Sequence, residues 1–420
     1  MTLQSRAFIK TKKEAPKDEV SANARLLVRG GYTDKLAGGI YSFLPLGFLV
    51  LKKIENIIRE EMNAVGGQEI LMPALQTKEL WEETKRWETM DDLYKLKDRQ
   101  ERWLALGPTH EEVITDIVRK QSWSYKDLPF YLYQIQTKFR DELRSKSGLL
   151  RGREFIMKDL YSFHASEEDR EKYYETVKKA YLKIFKRCGL AGVIVAEAGG
   201  GSFSKEFSHE FQVPTPAGED VIIFCSKCGW ARNVEIAGQK AGEKCPLCGS
   251  ALKEEKTIEA GNIFTLGTKF SQTMGAFFTD QDGSRKPIVM GCYGLGLGRI
   301  LGTVVETHSD ERGIVWPREL APYEAHILAL PGSDRAVAKR VFAESAKIYK
   351  KLKNEGVSAL YDDRPDAPPG QKFADADLIG ARTRIVISEK TLKAKQVEIK
   401  RRDNNEIRLV YIRSLVKELS

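Results

Sequence analysis

The stretch of sequence that offers the most chemistry is residues 139–155, FRDELRSKSGLLRGREF. It holds four arginines and one lysine against three acids, with a phenylalanine at each end. Guanidinium groups on a strand offer paired donors for phosphate, and an aromatic ring offers a face on which a nucleobase stacks. Two antiparallel strands joined by a loop would bring four of these side chains onto one surface: Arg140, Glu142, Arg151 and Phe155. The pattern predicts a nucleotide site, although a solvated hairpin with salt bridges explains these residues alone equally well.

A glycine-rich segment, MGCYGLGLGR at residues 290–299, is predicted to be a turn after a strand. Gly294, Gly296 and Gly298 allow the backbone to approach a ligand closely, and Arg299 follows at once. The spacing differs from GxGxxG and from GxxxxGK[ST], which disfavours the two nucleotide-binding folds that carry those motifs.

Four of the six cysteines form two CxxC pairs with the spacing C-x2-C-x16-C-x2-C, at Cys225, Cys228, Cys245 and Cys248. This spacing fits a tetrahedral zinc site with four thiolate ligands. The N-terminus lacks the apolar segment of a secretory signal, so a reducing compartment favours metal binding over disulfides. The alternative is that the two pairs bind nothing.

The elements around the arginine stretch must position its side chains. YLYQIQTKFRDE alternates with period two, which predicts a half-buried strand whose second face is entirely polar. LRSKSGLL is then a loop, RGREFIMKDLYSF predicts a second strand, and residues 167–187 predict a helix. Earlier in the chain, GFLVLKKIENIIREEMNAVGG predicts a helix. EILMPAL after it predicts a short strand, in which Pro73 indicates an edge or a bulge.

The last hundred residues show a different pattern after the linker WPRELAP. AHILAL, VSALYDD, RIVIS and QVEIKR predict strands, helices are predicted at 335–354 and near 371–379, and a last helix ends the chain. This order predicts an α/β domain. The predicted domains are therefore 1–320 and 321–420, with a small cysteine-rich insert at about 220–255.

Composition limits the class of protein. The 420 residues are 42% hydrophobic and 30% charged, which is typical of a globular protein, and no apolar run is long enough to span a membrane. The net charge is +9, and the last hundred residues hold 20 Lys and Arg against 14 Asp and Glu. A basic module suits a nucleic-acid partner, although on charge alone a role in solubility explains the surplus equally well.

Several motifs, in the same order, resemble those of class II aminoacyl-tRNA synthetases. FRDE…RGREF resembles motif 2, GLGLGR resembles motif 3, and the helix followed by EILMPAL resembles motif 1. More narrowly, GPTHEE, KDLYSFH, LGTKFS, MGCYGLG and GQKFADADLIG are similar to prolyl-tRNA synthetases of the bacterial type. The resemblance implies an α+β fold. Its catalytic domain would have a mixed, mainly antiparallel sheet with flanking helices, followed by a C-terminal α/β anticodon-binding domain.

The resemblance also implies roles for individual residues, with Arg140 and Arg299 as the catalytic pair. ATP would bind to Arg140, Glu142, Arg151, Phe155, Glu259, Asn262, Gly294, Gly296 and Arg299. Proline would bind to Thr109, Glu111, Arg140, Phe163, Phe264 and Cys292. Arg144 and Lys146, in the loop between the motif 2 strands, would reach the acceptor end of tRNA.

The implied partners are L-proline, ATP with Mg²⁺, and tRNA(Pro), and zinc is the candidate for the four cysteines. A homodimer formed through motif 1, a cytoplasmic location and no membrane association are also implied.

The sequence departs from the bacterial pattern in two places. Only about a hundred residues separate KDLYSFH from LGTKFS, so the large editing domain between motifs 2 and 3 is expected to be absent. The CxxC pairs are then the flanks that its loss brings together. GARTR at 380–384 stands where the bacterial enzymes usually have proline and histidine.

Two other functions fit parts of the sequence. A relative without catalytic activity that binds nucleic acid would not need the whole set of nucleotide residues. A class II enzyme for threonine would need a zinc set of mixed cysteine and histidine in its pocket, and the sequence does not show one.

Overall fold

The computed structural model of the protein describes residues 2–16, 19–143, 145, 147–201, 207–404 and 406–419. Its α-helices are α1 (Ala22–Arg29), α2 (Pro45–Ala64), α3 (Lys78–Glu83), α4 (Arg86–Thr89), α5 (Glu111–Arg119), α6 (Glu167–Arg187), α7 (Lys269–Met274), α8 (Leu297–Thr307), α9 (Arg335–Asn354), α10 (Pro369–Ile379), α11 (Glu389–Lys393) and α12 (Leu415–Leu419). Its strands are β1 (Thr33–Ala37), β2 (Ile40–Phe43), β3 (Gln68–Glu69), β4 (Leu75–Thr77), β5 (Tyr94–Lys97), β6 (Trp103–Leu106), β7 (Trp123–Ser124), β8 (Phe130–Phe139), β9 (Glu154–His164), β10 (Ile194–Gly199), β11 (Phe207–Pro214), β12 (Asp220–Phe224), β13 (Ala231–Asn233), β14 (Lys253–Gly267), β15 (Phe277–Thr279), β16 (Arg285–Pro287), β17 (Val289–Gly296), β18 (Ala325–Leu330), β19 (Ala359–Asp362), β20 (Thr383–Ser388), β21 (Gln396–Arg401) and β22 (Ile407–Tyr411).

The chain divides into two compact units. The terminal unit comprises Met1–Leu36, Tyr41–Lys53 and Val304–Ser420, and the central unit comprises Ala37–Ile40 and Ile54–Thr303. The terminal unit thus takes segments from both ends of the chain.

The central unit is built on a nine-stranded sheet with the order β11-β10-β13-β12-β14-β17-β9-β8-β3. Strands β8 and β9 form the predicted antiparallel hairpin, paired from Phe130 with Phe163 to Phe139 with Glu154. Strand β9 then pairs with β17, and β17 with β14, both antiparallel. The predicted helix at 167–187 is α6, which begins after Ser166, whose side chain accepts from the backbone N–H of Asp169.

Two residues on the polar face of β8 are fully buried, which the sequence analysis did not predict. Gln134 and Lys138 have no exposed surface. Lys138 Nζ lies 2.8 Å from Asp159 Oδ1, and Gln134 Nε2 donates to Asp159 Oδ2 at 3.0 Å. Asp159 lies directly opposite Gln134 on β9, so the neighbouring strand supplies the carboxylate that compensates this buried charge.

The predicted strand EILMPAL is wrong over residues 70–74, which form no strand between β3 and β4. Pro73 has no N–H to donate to a ladder. Ile70 N still donates to Tyr133 O at 2.8 Å, but beyond it side chains hold the segment to β8. Met72 N donates to Gln134 Oε1 at 3.0 Å, and Gln136 Nε2 donates to Met72 O at 2.8 Å.

The glycine-rich segment is also not a turn. Strand β17 continues through Gly296, and α8 begins at Leu297, so Arg299 lies in the first turn of a helix. Gly294 and Gly296 lie at alternate positions of β17, so one face of the strand lacks side chains there although the strand is not interrupted.

Five strands of the sheet close on themselves, because β11 pairs with β14 as well as with β10. The ring closes where β10 meets β13 in a single parallel pair, Glu197 with Arg232, and Arg232 Nε donates to Glu197 Oε2 at 2.8 Å. The cysteine-rich segment follows β12 and precedes β14. Its first half contains β13.

The terminal unit contains a five-stranded sheet with the order β19-β18-β20-β21-β22. Strand β18 is parallel to β19 and β20, whereas β21 and β22 are antiparallel. Strand β22 was not predicted. Its apolar residues Ile407, Leu409 and Tyr411 alternate along one face, but that face is exposed and Val410 is the one buried residue of the strand. The predicted last helix is the short α12. In GARTR, Gly380 ends α10 with a φ of 67°, so this turn forms without proline.

No helix in the described ranges combines the length and the apolar character that a bilayer crossing requires.

Candidate active site

A cavity opens in the central unit against β9, β14 and β17. Its lining includes thirteen of the residues predicted for ATP or proline: Thr109, Glu111, Arg140, Glu142, Arg151, Phe155, Glu259, Asn262, Phe264, Cys292, Gly294, Gly296 and Arg299. It is completed by Leu149, Leu150, Gly152, Met157, Asp159, Ala260 and Gly261. The two predicted sets therefore meet in one space.

Arg299 is held at one side of the cavity by three contacts. Its Nη1 donates to Glu259 Oε2 at 2.8 Å and to Glu259 O at 3.1 Å, and its Nε donates to Leu150 O at 2.9 Å. Helix α8 therefore presents a guanidinium of fixed orientation, which is the arrangement that phosphate recognition requires.

Arg140 lies just beyond the end of β8 with its guanidinium over the Phe155 ring, at 5.2 Å from the ring centre. Its closest ion pair is with Asp92, at the long distance of 3.9 Å, and its Nε is buried without a hydrogen-bond partner. Burial and the nearby Arg299 lower the pKa of Arg140. A half-buried cation with so little compensation is suited to an anionic ligand.

Glu142 and Arg151 form the mouth of the hairpin. Arg151 Nε donates to Glu142 Oε2 at 2.9 Å, and Arg151 lies 3.9 Å from Glu219. Arg151 is the more exposed partner, with 46% of its side chain accessible against 16% for Glu142. An anionic ligand can therefore recruit Arg151 without breaking a buried ion pair.

Asn262 in β14 lies opposite Gly294 in β17. The amide Nδ2 is 3.5 Å from Glu210 Oε1, whereas Oδ1 is buried without a hydrogen-bond partner. Buried polar atoms are nearly always paired, so this oxygen indicates a ligand on the cavity side. Burial, with nearby Glu259, raises the pKa of Glu210 to about 7.

The cavity lining also includes a cluster of buried acceptors. Thr109 Oγ1 donates to the carboxylate of Glu111, with distances of 2.9 and 2.7 Å to its two oxygens. Tyr161 Oη lies 3.2 Å from Glu111 Oε1 and 3.2 Å from Asp159 Oδ2. Cys292 Sγ donates to Glu111 Oε1 at 3.3 Å, and burial beside Glu111 raises the pKa of this thiol.

Phe163 does not line the cavity. It is fully buried, stacks on Phe130 with ring centres 4.7 Å apart, and belongs to the apolar cluster that includes Cys292 and packs against Phe264. Arg144 and Lys146, the residues expected at the tRNA acceptor end, lie outside the described residues.

Asp159 lines the cavity and was missed by the sequence analysis, as were the contacts of the residues behind it. Lys138 Nζ lies 2.7 Å from His110 Nδ1, and His110 Nε2 lies 3.0 Å from Pro73 O. Burial and nearby Lys138 lower the pKa of His110 to about 4. An available signal was the charged pair within the apolar strand IMKDLYSF, because a carboxylate placed there must find a partner.

The four predicted cysteines come together at the end of β12. The Sγ atoms of Cys225, Cys228, Cys245 and Cys248 all lie within 4.8 Å of one another. The two pairs are held by equivalent turns, since the N–H of Gly229 donates to Cys225 O and that of Gly249 to Cys245 O. Both glycines have positive φ, 80° and 72°. Four clustered thiols on rigid turns fit tetrahedral zinc.

Comparison with protein families accounts for most of the chain. Residues 94–308 match the tRNA synthetase class II core domain (G, H, P, S and T), and residues 326–420 match the anticodon binding domain. These matches confirm the predicted fold class.

Two relatives and one solved structure carry the comparison further. The chain is 38% identical to the proline–tRNA ligase of a Sulfurihydrogenibium species, with 99% of each chain covered. It is 37% identical to that of Persephonella marina, with 96% of this chain and 97% of the relative covered. Giardia lamblia prolyl-tRNA synthetase in complex with prolyl-adenylate superimposes with a TM-score of 0.78 at 20% identity, over 94% of this chain and 75% of that one.

The alignment lengths also bear on the editing insertion. The alignment with the Sulfurihydrogenibium enzyme has 564 positions, and this chain has 420 residues. At least 144 positions, the difference, therefore have a residue only in the relative. This agrees with the predicted absence of a large insertion, and the chain belongs to the proline–tRNA ligase family of class II synthetases.

Proposed function

We propose that this chain activates L-proline with ATP and transfers the prolyl group to the 3′ end of tRNA(Pro), without an editing domain of its own. One observation carries the proposal most directly. A single cavity is lined both by buried acceptors, Thr109 and Glu111, and by the arginines Arg140 and Arg299. This arrangement suits a zwitterionic amino acid that meets a nucleotide phosphate.

The amino-acid end would recognise proline through its nitrogen. The secondary ammonium has two N–H groups, so one hydroxyl and one carboxylate, those of Thr109 and Glu111, suffice as acceptors. Phe264 and Cys292 would contact the ring, with Phe163 packed behind them. Arg140 would attract the proline carboxylate.

The nucleotide end would take ATP along the hairpin and β17. Adenine would lie between Phe155 and Arg299, and Glu142 would accept from its exocyclic amine. Arg151 would contact the terminal phosphates, and Gly294 and Gly296 would leave space for the nucleotide. Arg140 on the α-phosphate and Arg299 on the γ-phosphate would supply positive charge.

The reaction follows from these positions. The proline carboxylate attacks the α-phosphorus of ATP, the bond to the β-phosphate oxygen breaks, and pyrophosphate leaves. The terminal ribose hydroxyl of tRNA then attacks the carbonyl carbon of prolyl-adenylate and AMP leaves. Neither step needs a side-chain nucleophile. Catalysis therefore rests on orientation and on guanidinium charge at the developing negative charge.

Mg²⁺ would bind beside ATP, where its charge neutralises the phosphates. The oxygens of Glu259 and Asn262 are the hard donors that this ion prefers, and the buried Asn262 Oδ1 has no hydrogen-bond partner of its own.

Zinc is the metal that we propose for Cys225, Cys228, Cys245 and Cys248. Its role would be structural, because four protein ligands leave no open coordination position.

The remaining parts of the chain would serve tRNA. We propose a catalytic domain over 1–320 and an anticodon-binding domain over 321–420, with Arg144 and Lys146 at the acceptor end of tRNA(Pro). The match of 326–420 to anticodon-binding domains supports the assignment.

We further propose a cytoplasmic homodimer. Leu71 and Leu75, near the edge strand β4, are 76% and 52% exposed, and apolar side chains at a sheet edge suit a subunit interface. A cytoplasmic location suits the six cysteines, none of which lies in a disulfide.

Exchange of pyrophosphate into ATP, measured with each amino acid in turn, tests the proposal. We expect proline to support exchange and threonine and histidine not to do so. Cys292 is the one cysteine among the described residues that line the cavity, and no histidine is among them, so the zinc set of a threonine enzyme is missing there. Exchange with threonine at the rate found with proline would contradict the proposal.

A further inference from the structure

A buried guanidinium that the proposed mechanism does not use holds the Glu111 carboxylate from behind. Arg86 Nη1 lies 3.3 Å from Glu111 Oε2 and 3.0 Å from Glu112 Oε1. Arg86 is 4% exposed, and both glutamates are fully buried. Buried charges are costly unless they are paired and hydrogen-bonded, so these three side chains form one unit.

The orientation of Arg86 is restricted by two aromatic rings. Its guanidinium carbon lies 5.1 Å from the centre of the Trp81 ring and 5.5 Å from that of Phe270. The backbone also directs it inward, since Lys85 just before it has a φ of 60° and α4 begins at Arg86. A planar guanidinium beside two rings has little freedom to rotate.

Glu111 and Glu112 share this guanidinium unequally. Nη1 donates to both oxygens of Glu112, at 3.0 and 3.1 Å, and Thr84 Oγ1 donates to Glu112 Oε1 at 2.8 Å. The contact with Glu111 is longer, and Glu111 rather than Glu112 lines the cavity. Glu112 therefore anchors Arg86. The weaker contact fixes the orientation of Glu111 and leaves its carboxylate able to accept from a ligand.

We infer that Arg86, anchored by Glu112, is a positioning residue for amino-acid recognition, because it fixes the Glu111 carboxylate in the orientation that accepts from the ammonium of proline. The inference rests on the proposed function, which makes Glu111 the acceptor for that ammonium. It adds two residues remote from the cavity surface to the determinants of proline affinity.

Separate KM values for proline and ATP in the exchange reaction test the inference. Arg86→Gln should raise the KM for proline at least tenfold and leave the KM for ATP within twofold of the wild type. A purely structural role would change both constants or neither, because both substrates occupy the same cavity. Arg86→Lys should give an intermediate proline KM, since it keeps the charge but not the planar stack.

Glu112→Gln provides a second variant if Arg86→Gln does not fold. It retains the side-chain volume and weakens the anchor, so it too should raise the proline KM selectively. Arg119→Gln is the matched control. Arg119 also pairs with two carboxylates of the central unit, Glu83 and Asp116, but it does not line the cavity. Its two KM values should be unchanged.

The outcomes separate the two ideas. A wild-type protein with no proline-dependent exchange would overturn the proposed function and this inference with it. An active wild type, together with folded Arg86→Lys and Glu112→Gln variants whose proline KM is unchanged, would overturn the inference alone.

Discussion

Gly294 lies opposite Asn262 on adjacent strands, and both residues line the cavity. A Cβ atom added to Gly294 would meet no atom closer than Asn262 O, at 3.8 Å. Gly294→Ala therefore fits the protein, but its methyl group occupies space that we assign to the nucleotide. We expect a KM for ATP raised about tenfold, equivalent to about 1.4 kcal/mol, with an unchanged temperature of unfolding.

The neighbouring Gly291 provides the contrast. A Cβ there would lie 2.5 Å from Tyr293 Oη and 2.8 Å from Ser162 Oγ, so Gly291→Ala should lower the temperature of unfolding. Equal effects of the two substitutions on ATP binding would contradict the assignment of Gly294.

Arg140→Ala should abolish most adenylate formation while leaving the fold intact. Loss of one charged donor at a transition-state phosphate costs about 3 kcal/mol, or about 100-fold in rate. Little stability should be lost, because the closest ion pair of Arg140, with Asp92, is 3.9 Å long. Single-turnover formation of prolyl-adenylate measures the rate. A variant within threefold of the wild type would show that Arg140 does not contact the reacting phosphate.

The sequence was most informative for features that are determined by residues close together in the chain. The hairpin β8–β9, helix α6 and the convergence of the cysteines follow from period, capping and spacing, which neighbouring residues determine. Arg140, Phe155 and Arg299 were predicted together because their side-chain types are unusual in that combination.

Prediction failed where distant elements decide the structure. Nothing in YLYQIQTKFRDE shows that Asp159 and His110 contact Lys138 on its polar face, so the burial of Lys138 was not predicted. The contact of Arg86 with Glu111 joins residues 25 positions apart and depends on the Lys85 turn. Pro73 was read as an irregularity within a strand, whereas side chains of β8 replace the ladder there.

His110 should make the protein sensitive to acid. Its pKa is about 4 in the folded protein, against about 6.5 in the unfolded chain. Between pH 6.5 and 4 the unfolded chain binds more protons, so the free energy of unfolding falls as the pH falls. At pH 4 the free energy of unfolding is about 3 kcal/mol lower than it is above pH 6.5, where the titration of this histidine has no effect on it.

His110→Asn removes this titration and retains an amide oxygen that can accept from Lys138. We expect denaturant unfolding between pH 4 and 8 to show a shallower acid slope for the variant. Parallel curves for the two proteins would mean that the pKa of His110 is not lowered in the folded protein.

The four cysteines should hold about one zinc ion per chain in protein purified without chelator. Cys248→Ser should reduce the zinc content and the temperature of unfolding, because a structural zinc site contributes directly to folding. Elemental analysis and thermal unfolding, each with and without added zinc, measure both effects. A zinc content well below one per chain in the wild type would leave the turns at Gly229 and Gly249 as relics of a lost insertion.

The accuracy with which proline is selected over alanine is the property that the lack of an editing insertion should affect most. A pocket sized for proline excludes the smaller alanine by only about 1–3 kcal/mol, or roughly 10–200-fold, so mischarged Ala-tRNA(Pro) should form. At least 144 positions of the alignment with a longer relative have no residue in this chain, and we propose that the segment that would house a hydrolytic site is among them. We therefore expect purified protein to deacylate preformed Ala-tRNA(Pro) no faster than buffer alone, so that clearance requires another protein. Hydrolysis well above the buffer control would show that the cysteine-rich segment or another surface of this chain edits. The same assay with Pro-tRNA(Pro) would then distinguish editing from unspecific esterase activity.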